Sequence, residues 1–201
     1  AVYDPAVVAM PVTEASATCP VGEYGWSKLA AEEAVREAGR LGLEWTIIRP
    51  RTIVDTGRGG IFQLLYEWIR EGDTIWLPGR GTNLLQLVSA RDTASACLAA
   101  AGSPAAVGEV FNIGSAEYGT LGECVEHLIA HAGSRSKLRG VSRGLTRAGL
   151  ALLDVTGLSP FAEWHYKTID KPFFTSTEKA ERLLGWRAVD SDDATMARSY
   201  D

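Results

Sequence analysis

The pentapeptide Tyr24-Gly25-Trp26-Ser27-Lys28 places a phenol and an ammonium group four residues apart. On a helix this spacing brings both side chains to one face, with their Cβ atoms about 5–6 Å apart. A tyrosine ordinarily titrates at a pKa of about 10, and a neighbouring ammonium favours its phenolate form. A tyrosine tuned in this way could take a proton from an alcohol while a hydride leaves the alcohol carbon for a nicotinamide.

The lysine of such a pair can also donate hydrogen bonds to the hydroxyl groups of a ribose. Spacing alone, however, equally allows an ordinary surface pair in which the lysine stem packs along its helix. The surrounding elements must therefore decide between these two interpretations.

Helices and short apolar strands alternate along the chain, which predicts βαβ crossovers and a parallel sheet. Few of the strands look fully buried, and they are too few for a complete doubly wound sheet. We expect Asp92 to cap its helix and Asn112 to satisfy backbone groups at a strand end. The predicted helices cover residues 25–39, 61–70, 92–101, 121–132, 143–153 and 176–184, and the predicted strands cover residues 45–48, 74–77, 84–88 and 110–114.

The composition is that of an ordinary soluble globular protein, with 46% hydrophobic and 22% charged residues. A net charge of −5 argues against a nucleic-acid-binding protein, and no apolar run approaches the roughly 18 residues of a membrane span. Cys19, Cys97 and Cys124 lack metal-site or disulfide spacing. We expect three buried or half-buried thiols in a cytoplasmic protein.

Motifs around the Tyr24/Lys28 pair resemble, in the same order, those of the extended short-chain dehydrogenase/reductases of the NAD-dependent epimerase/dehydratase family. The resemblance covers nearly the whole chain, and it rests on the series of motifs rather than on any one of them. The motifs are Ala1-Val2-Tyr3, Thr13-Glu14, Cys19-Pro20, YGWSK with AAEEAV at 24–35, WTIIRP at 45–50, LPGRGTN at 77–83, VSARDTASA at 88–96, VFNIG at 110–114 and STEKAERLLGW at 176–186.

The resemblance implies that Tyr24 is the general acid/base, that Lys28 holds the nicotinamide ribose, and that NAD or NADP is the cofactor. It also implies that the backbone of Pro50, Arg51, Thr52 and Ile53 lines the nicotinamide. The implied fold class is α/β, the C-terminal part of a Rossmann-type doubly wound parallel sheet with a small mixed α/β substrate-binding lobe. Residues 1–58 and 90–114 would form the dinucleotide-binding part, and residues 59–89 and 115–201 the lobe.

The sequence departs from the family at the cofactor phosphates. It lacks the G-x-x-G-x-x-G turn that holds a pyrophosphate at a helix N-terminus, and the Ser or Thr partner of the tyrosine would fall before Ala1. About 110 residues of a family member are unaccounted for, so we expect the chain to be a fragment that is inactive alone.

The sequence also departs from the family at the substrate. Leu84 and Leu85 stand where many nucleotide-sugar members have a phosphate-binding Arg, and Asp55 stands where a Gly is usual. Arg80 or Arg51 could take the place of that Arg, and we predict that Arg80, Asn83 and Gln86 contact the substrate.

The favoured function is that of a nucleotide-sugar epimerase or dehydratase, acting as a homodimer when complete, because the helix that carries Tyr24 is a usual dimer face in the family. Two alternatives stay open: a carbonyl reductase or hydroxysteroid-like dehydrogenase of the same fold, and a non-catalytic relative that senses a dinucleotide. No metal site is predicted, since His127 and His131 fit an amphipathic helix better than a chelate, and His165 fits packing.

Overall fold

The computed structural model describes residues 1–57, 60–142, 144 and 171–201. Helix α1 spans Gly22–Arg40 and begins directly after the extended residue Val21. Only Gly25 and Glu32 are buried along its length, so most of the helix surface is accessible to solvent. The helix carries the tyrosine and the lysine singled out above, and its start lies three residues before the predicted position.

Every strand pair in the described part of the chain is parallel. Strand β1 (Thr46–Pro50) pairs with β5 (Glu109–Ile113), β2 (Thr52–Val54) with β4 (Leu87–Ser89), and β3 (Thr74–Pro78) with β6 (Lys137–Val141). Parallel neighbours require crossover connections, and helices supply these between the strands. The predicted α/β class with parallel strands is confirmed.

The remaining described helices are α2 (Gln63–Glu71), α3 (Ala90–Ala101), α4 (Leu121–His131), α5 (Glu178–Leu184) and α6 (Asp192–Tyr200), with short 3₁₀ turns at Gly60–Phe62, Gly79–Gly81 and Pro104–Ala106. The sequence did not predict α6, β2 or β6. The helix predicted at 143–153 lies outside the described residues apart from Gly144. None of the described helices has the length and apolar character needed to cross a membrane.

The start of α3 corrects a sequence prediction. Ser89, not Asp92, caps this helix, because the Ser89 hydroxyl accepts a hydrogen bond from the Asp92 amide at 2.9 Å. The Asp92 carboxylate instead accepts from the amides of Val189 and Asp190, at 3.1 and 3.0 Å. An aspartate in the first turn of a helix can accept hydrogen bonds from unpaired amides of a distant loop instead of capping its own helix.

The strand predicted at 84–88 is also shorter than expected. Only Leu87–Ser89 forms a strand, because Leu84 and Leu85 make single bridges to two other segments, at Thr120 and Phe173. The prediction of three buried or half-buried thiols is wrong as well, since only Cys124 is buried, whereas Cys19 and Cys97 are exposed.

The buried side chains form separate apolar clusters around the strand pairs. The first packs β2, β3 and β4 against α2, α4 and α6, with Val54, Ile75, Leu87, Ile69, Val125 and Met196 among its members. The second packs β4 and β5 against α3 and α5, with Val88, Phe111, Ile113, Ala96, Ala180 and Trp186 among its members. Because β4 contributes alternate residues to both clusters, it fixes the two relative to each other.

Candidate active site

Tyr24 and Lys28 lie on one face of the first turns of α1. The Lys28 ammonium nitrogen is 5.4 Å from the centroid of the Tyr24 ring. The Tyr24 side chain is 64% exposed, and neither its hydroxyl nor the Lys28 ammonium forms a hydrogen bond with the described residues. Both groups are therefore unpaired within the described residues, and they lie side by side on one face of the helix.

A buried ion pair anchors this helix. One turn beyond Lys28, the Glu32 carboxylate accepts two hydrogen bonds from Arg49 of β1, from Nε at 2.8 Å and from a terminal nitrogen at 2.6 Å. Both side chains are only 9% exposed. Burial alone would raise the pKa of the Glu32 carboxyl, but the hydrogen bonds and charges of Arg49 and Arg36 hold that pKa below its ordinary value.

The same arginine continues the network across the sheet. Arg49 donates to the Tyr3 hydroxyl, which in turn lies 3.2 Å from Oδ1 of Asn112 in β5. The Asn112 side-chain amide donates to the carbonyl of Val12 at 3.5 Å, as expected for an asparagine that satisfies backbone groups. This network holds α1 against β1 through Glu32, Arg49 and Tyr3. It thereby fixes the position of Tyr24 on that helix.

A close backbone approach explains the glycine between the tyrosine and the tryptophan. A Cβ atom on Gly25 would lie 2.8 Å from the carbonyl oxygen of Ala1 and 2.9 Å from Cβ of Pro20. Contacts this short do not occur in stable structures, so only glycine lets α1 pack this closely against the segment before it.

Residues Pro50 to Ile53 lie where β1 ends and β2 begins. Pro50 is exposed, Thr52 and Ile53 are half-buried, and the Arg51 amide donates to the carbonyl of Ile113 at 2.9 Å. The Arg51 guanidinium is buried with its carbon 3.9 Å from the centroid of the Phe173 ring. Its Nε has no hydrogen-bond partner among the described residues, and burial lowers the pKa of Arg51 to about 10.

The charge that acts on Arg51 belongs to Asp192, the buried first residue of α6. One Asp192 carboxylate oxygen accepts from the amide of Leu87 at 3.0 Å, and the other has no hydrogen-bond partner among the described residues. Burial, the largest cause, raises the pKa of this carboxyl to about 7. The Asp192 carboxyl therefore changes charge near neutral pH.

This pKa has a consequence for stability. Unfolded Asp192 titrates near the ordinary value of 3.8, so between that pH and about 7 the folded state binds more protons than the unfolded state. The free energy of unfolding attributable to Asp192 must therefore fall as the pH rises through this interval. In urea titrations between pH 5 and 8 we expect Asp192→Asn to remove this fall, and the exposed control Asp73→Asn to retain it. Identical pH profiles for wild type and Asp192→Asn would contradict the assignment.

The residues predicted to contact a substrate have different surroundings. Arg80 is exposed, lies at φ 64°, and pairs with Glu126 at 3.3 Å. Asn83 is buried, and its carbonyl accepts from the Leu121 amide at 3.0 Å. Gln86 is 1% exposed, and its amide bonds to the backbone of Ser115 and to the backbone and hydroxyl of Thr175. Of the three, Arg80 offers the most accessible polar group, whereas Gln86 ties two segments together.

Other residues singled out in the sequence also have partners. The Asp55 carboxylate accepts from Nε of Arg198 in α6 at 2.9 Å and from the Ala90 amide at 3.0 Å. His127 and His131 pair with Asp193 and Asp201, at 2.6 and 2.9 Å. His165 lies outside the described residues.

The structure adds functional candidates that the sequence interpretation missed, namely Glu32, Arg49 and Tyr3. One signal was available for Glu32. It is an acidic residue one helical turn after Lys28, followed by Arg36 after another turn.

A groove of about 750 Å³ lies between the loop around Glu14 and helix α5, but neither Tyr24 nor Lys28 lines it.

The first 114 residues match the model of the NAD dependent epimerase/dehydratase family. Among curated proteins, the chain is 36% identical over 191 residues to "Uncharacterized protein y4nG" of Sinorhizobium fredii and 27% identical over 179 residues to the chloroplast stem-loop binding protein of 41 kDa b of Arabidopsis thaliana. These matches cover 94% and 89% of this chain, but only 48% and 43% of those proteins.

Among solved structures, the fold is similar to that of UDP-glucuronic acid 4-epimerase from Bacillus cereus in complex with UDP-glucuronic acid and NAD. The TM-score is 0.73 at 20% identity, and the similarity covers 96% of this chain and 56% of the epimerase. The chain thus spans about half the length of the relatives it matches, and by its fold and its match over residues 1–114 it belongs to the NAD dependent epimerase/dehydratase family.

Proposed function

We propose that this chain carries the acid/base and the substrate side of an NAD(P)-dependent enzyme that converts a nucleotide sugar, as an epimerase or a dehydratase. The observation that carries the proposal is the exposed Tyr24/Lys28 pair, with the ammonium 5.4 Å from the phenol ring. The buried pair between Glu32 and Arg49 supports it, because preorganised groups are what an acid/base site needs.

The residues present fit the nicotinamide half of the cofactor. Lys28 has hydrogen-bond donors free for ribose hydroxyls, and the backbone of Pro50, Thr52 and Ile53 lies at the carboxyl end of β1, where parallel sheets bind ligands. No G-x-x-G-x-x-G turn occurs in the 201 residues, so they lack the usual pyrophosphate-binding loop.

A bound nicotinamide dinucleotide would accept a hydride and return it. Tyr24 would take the proton of the substrate hydroxyl as the hydride leaves the carbon that bears this hydroxyl. It would give a proton back when the hydride returns to the substrate. Lys28 would orient the ribose through hydrogen bonds to its hydroxyl groups. Arg80 would contact the substrate from the loop after β3.

A nucleotide sugar is the proposed substrate because the matched epimerase structure holds UDP-glucuronic acid. We also propose a homodimer through α1, along which only Gly25 and Glu32 are buried. Sedimentation equilibrium of the longest polypeptide that the gene encodes tests the dimer.

A binding and turnover experiment tests the proposed function. In the longest polypeptide that the gene encodes, we expect calorimetry to detect binding of UDP or dTDP, and chromatography to detect turnover of at least one nucleotide sugar with NAD or NADP. The 201 residues alone should show neither tight NAD binding nor turnover. Failure to bind either nucleotide would favour the carbonyl-reductase alternative. Micromolar NAD affinity of the 201 residues would contradict the proposal that they carry only the acid/base and the substrate side of the site.

A further inference from the structure

Three cations alternate with inward-facing residues along β6 and the residues before it. Arg135, Lys137 and Arg139 are exposed, whereas Ser136 is buried and Leu138 is half-buried. Because side chains alternate between the two faces of an extended chain, this pattern places the three cations on one side. They belong to a segment, residues 132–153, that has five cationic residues and no acidic one, within a chain of net charge −5. Positive charge is therefore concentrated in this part of the sequence.

An exposed aromatic ring lies next to these cations. Trp76 of β3 is opposite Arg139 in the parallel register, and its side chain is 60% exposed. Neighbouring strands lie about 4.8 Å apart, and residues two apart on a strand are separated by about 6.6 Å. We call this surface, made of Arg135, Lys137, Arg139 and Trp76, the basic strip. It combines a flat ring with cations spaced at intervals of a few ångströms.

The strip is held in place by the elements beneath it. The stem of Arg135 lies across Gly72, where a Cβ atom would be 2.6 Å from it, so Gly72 leaves room for this side chain. The hydroxyls of Ser134 and Ser136 donate to the carbonyls of Ile69 and Trp68 in α2, at 2.6 and 3.3 Å. No cation of the strip forms an ion pair within the described ranges, and all three side chains are exposed.

We propose that the basic strip binds single-stranded nucleic acid, with a base stacked on Trp76 and phosphates at Arg135, Lys137 and Arg139. An aromatic ring beside a row of cations is the arrangement by which proteins bind single strands without reading their sequence. A membrane surface would favour an amphipathic helix with a wide apolar face, whereas this surface is a strand pair with one exposed ring. An acidic protein segment would use the cations but would have no base to stack on the ring.

Fluorescence anisotropy with a labelled oligouridylate of about 12 nucleotides tests the proposal on the 201-residue chain. Three phosphate contacts predict that log K falls with log salt at a slope of about −2, since each contributes about −0.7 for a single strand. Lys137→Ala with Arg139→Ala should weaken binding at least about tenfold and reduce the slope to about −0.7. Trp76→Ala should weaken binding about tenfold and leave the slope unchanged.

Matched variants elsewhere on the surface provide the controls. Arg40→Ala with Arg187→Ala removes the same charge from side chains that are 75% and 71% exposed, and Trp26→Ala removes a ring that is exposed to the same 60%. These variants should bind as the wild type does. The proposal is overturned if no binding occurs at low salt, if the control variants weaken binding as much as the strip variants, or if polyglutamate or phosphatidylserine vesicles displace the oligonucleotide at equal charge concentration.

Discussion

Replacing Tyr24 with phenylalanine is expected to lower kcat by about 10²–10⁴-fold in the longest polypeptide that the gene encodes. The substitution removes one hydroxyl oxygen from a 64% exposed ring and leaves the packing of α1 unchanged, so the loss should lie in proton transfer and not in folding. The rate of product formation at saturating nucleotide sugar, followed by chromatography, measures it. Cofactor affinity should change little, because Lys28 is retained.

The neighbouring aromatic residue provides the control for this variant. Trp26 lies two residues after Tyr24 on the same helix and is similarly exposed, at 60%. Since two residues correspond to more than half a helical turn, Trp26 is on a different face. Trp26→Phe should keep activity within a few-fold of wild type. If Tyr24→Phe does the same, Tyr24 is not the acid/base and the proposed mechanism fails.

Replacing Glu32 with alanine is expected to lower the free energy of unfolding by about 3–5 kcal/mol, the usual cost of removing one partner of a buried ion pair. Arg49 would keep its charge at 9% exposure without the carboxylate that now accepts two of its hydrogen bonds. Urea denaturation of the 201-residue chain, followed by circular dichroism, measures the change. Glu33→Ala, one residue further along on the exposed face, should change stability by no more than about 0.5 kcal/mol.

The pH dependence of this loss is a second check. The pKa of Glu32 is held below its ordinary value of 4.5, so its contribution to stability is fully present above that pH and disappears as the pH falls through the lower folded value. The difference between wild type and Glu32→Ala should therefore shrink in acid. A double variant with leucine at positions 32 and 49 should lose less than Glu32→Ala, because no unpaired charge stays buried. Equal effects of Glu32→Ala and Glu33→Ala would show that the pair stabilises nothing.

The regular elements with a clear apolar period could be predicted from the sequence, but the elements stabilised by distant contacts could not. Strand β6 was missed because Lys137 and Gly140 have low strand propensity, and its pairing with β3 is what makes it a strand. Helix α6 was missed because its apolar residues are few. Met196 is buried against Tyr66, and Arg198 contacts Asp55, a residue 143 positions earlier.

The candidate site shows the same division. The positions of Tyr24 and Lys28 on one helical face follow from their spacing, and the structure places them as expected. The Glu32–Arg49 pair joins residues 17 positions apart, and the contact between Tyr3 and Asn112 joins residues 109 positions apart. Such contacts depend on how strands and helices pack, which local sequence patterns do not specify. Arg51 likewise shows no sign in the sequence that its side chain is buried.

The contact between Glu14 and Asn112 bears on how copies of the chain behave at high concentration. Strand β5 pairs with β1 along one side, and on its other side the Glu14 carboxylate accepts the Asn112 amide at 2.7 Å. An amide left open at the side of a strand is where a stray strand from another molecule can attach and start a fibril. Here the Asn112 amide already donates its hydrogen bond to the charged Glu14 carboxylate, so it is not open to another strand. We therefore expect Glu14→Ala to aggregate faster than wild type on gentle heating, as measured by light scattering, even where its unfolding midpoint is little changed.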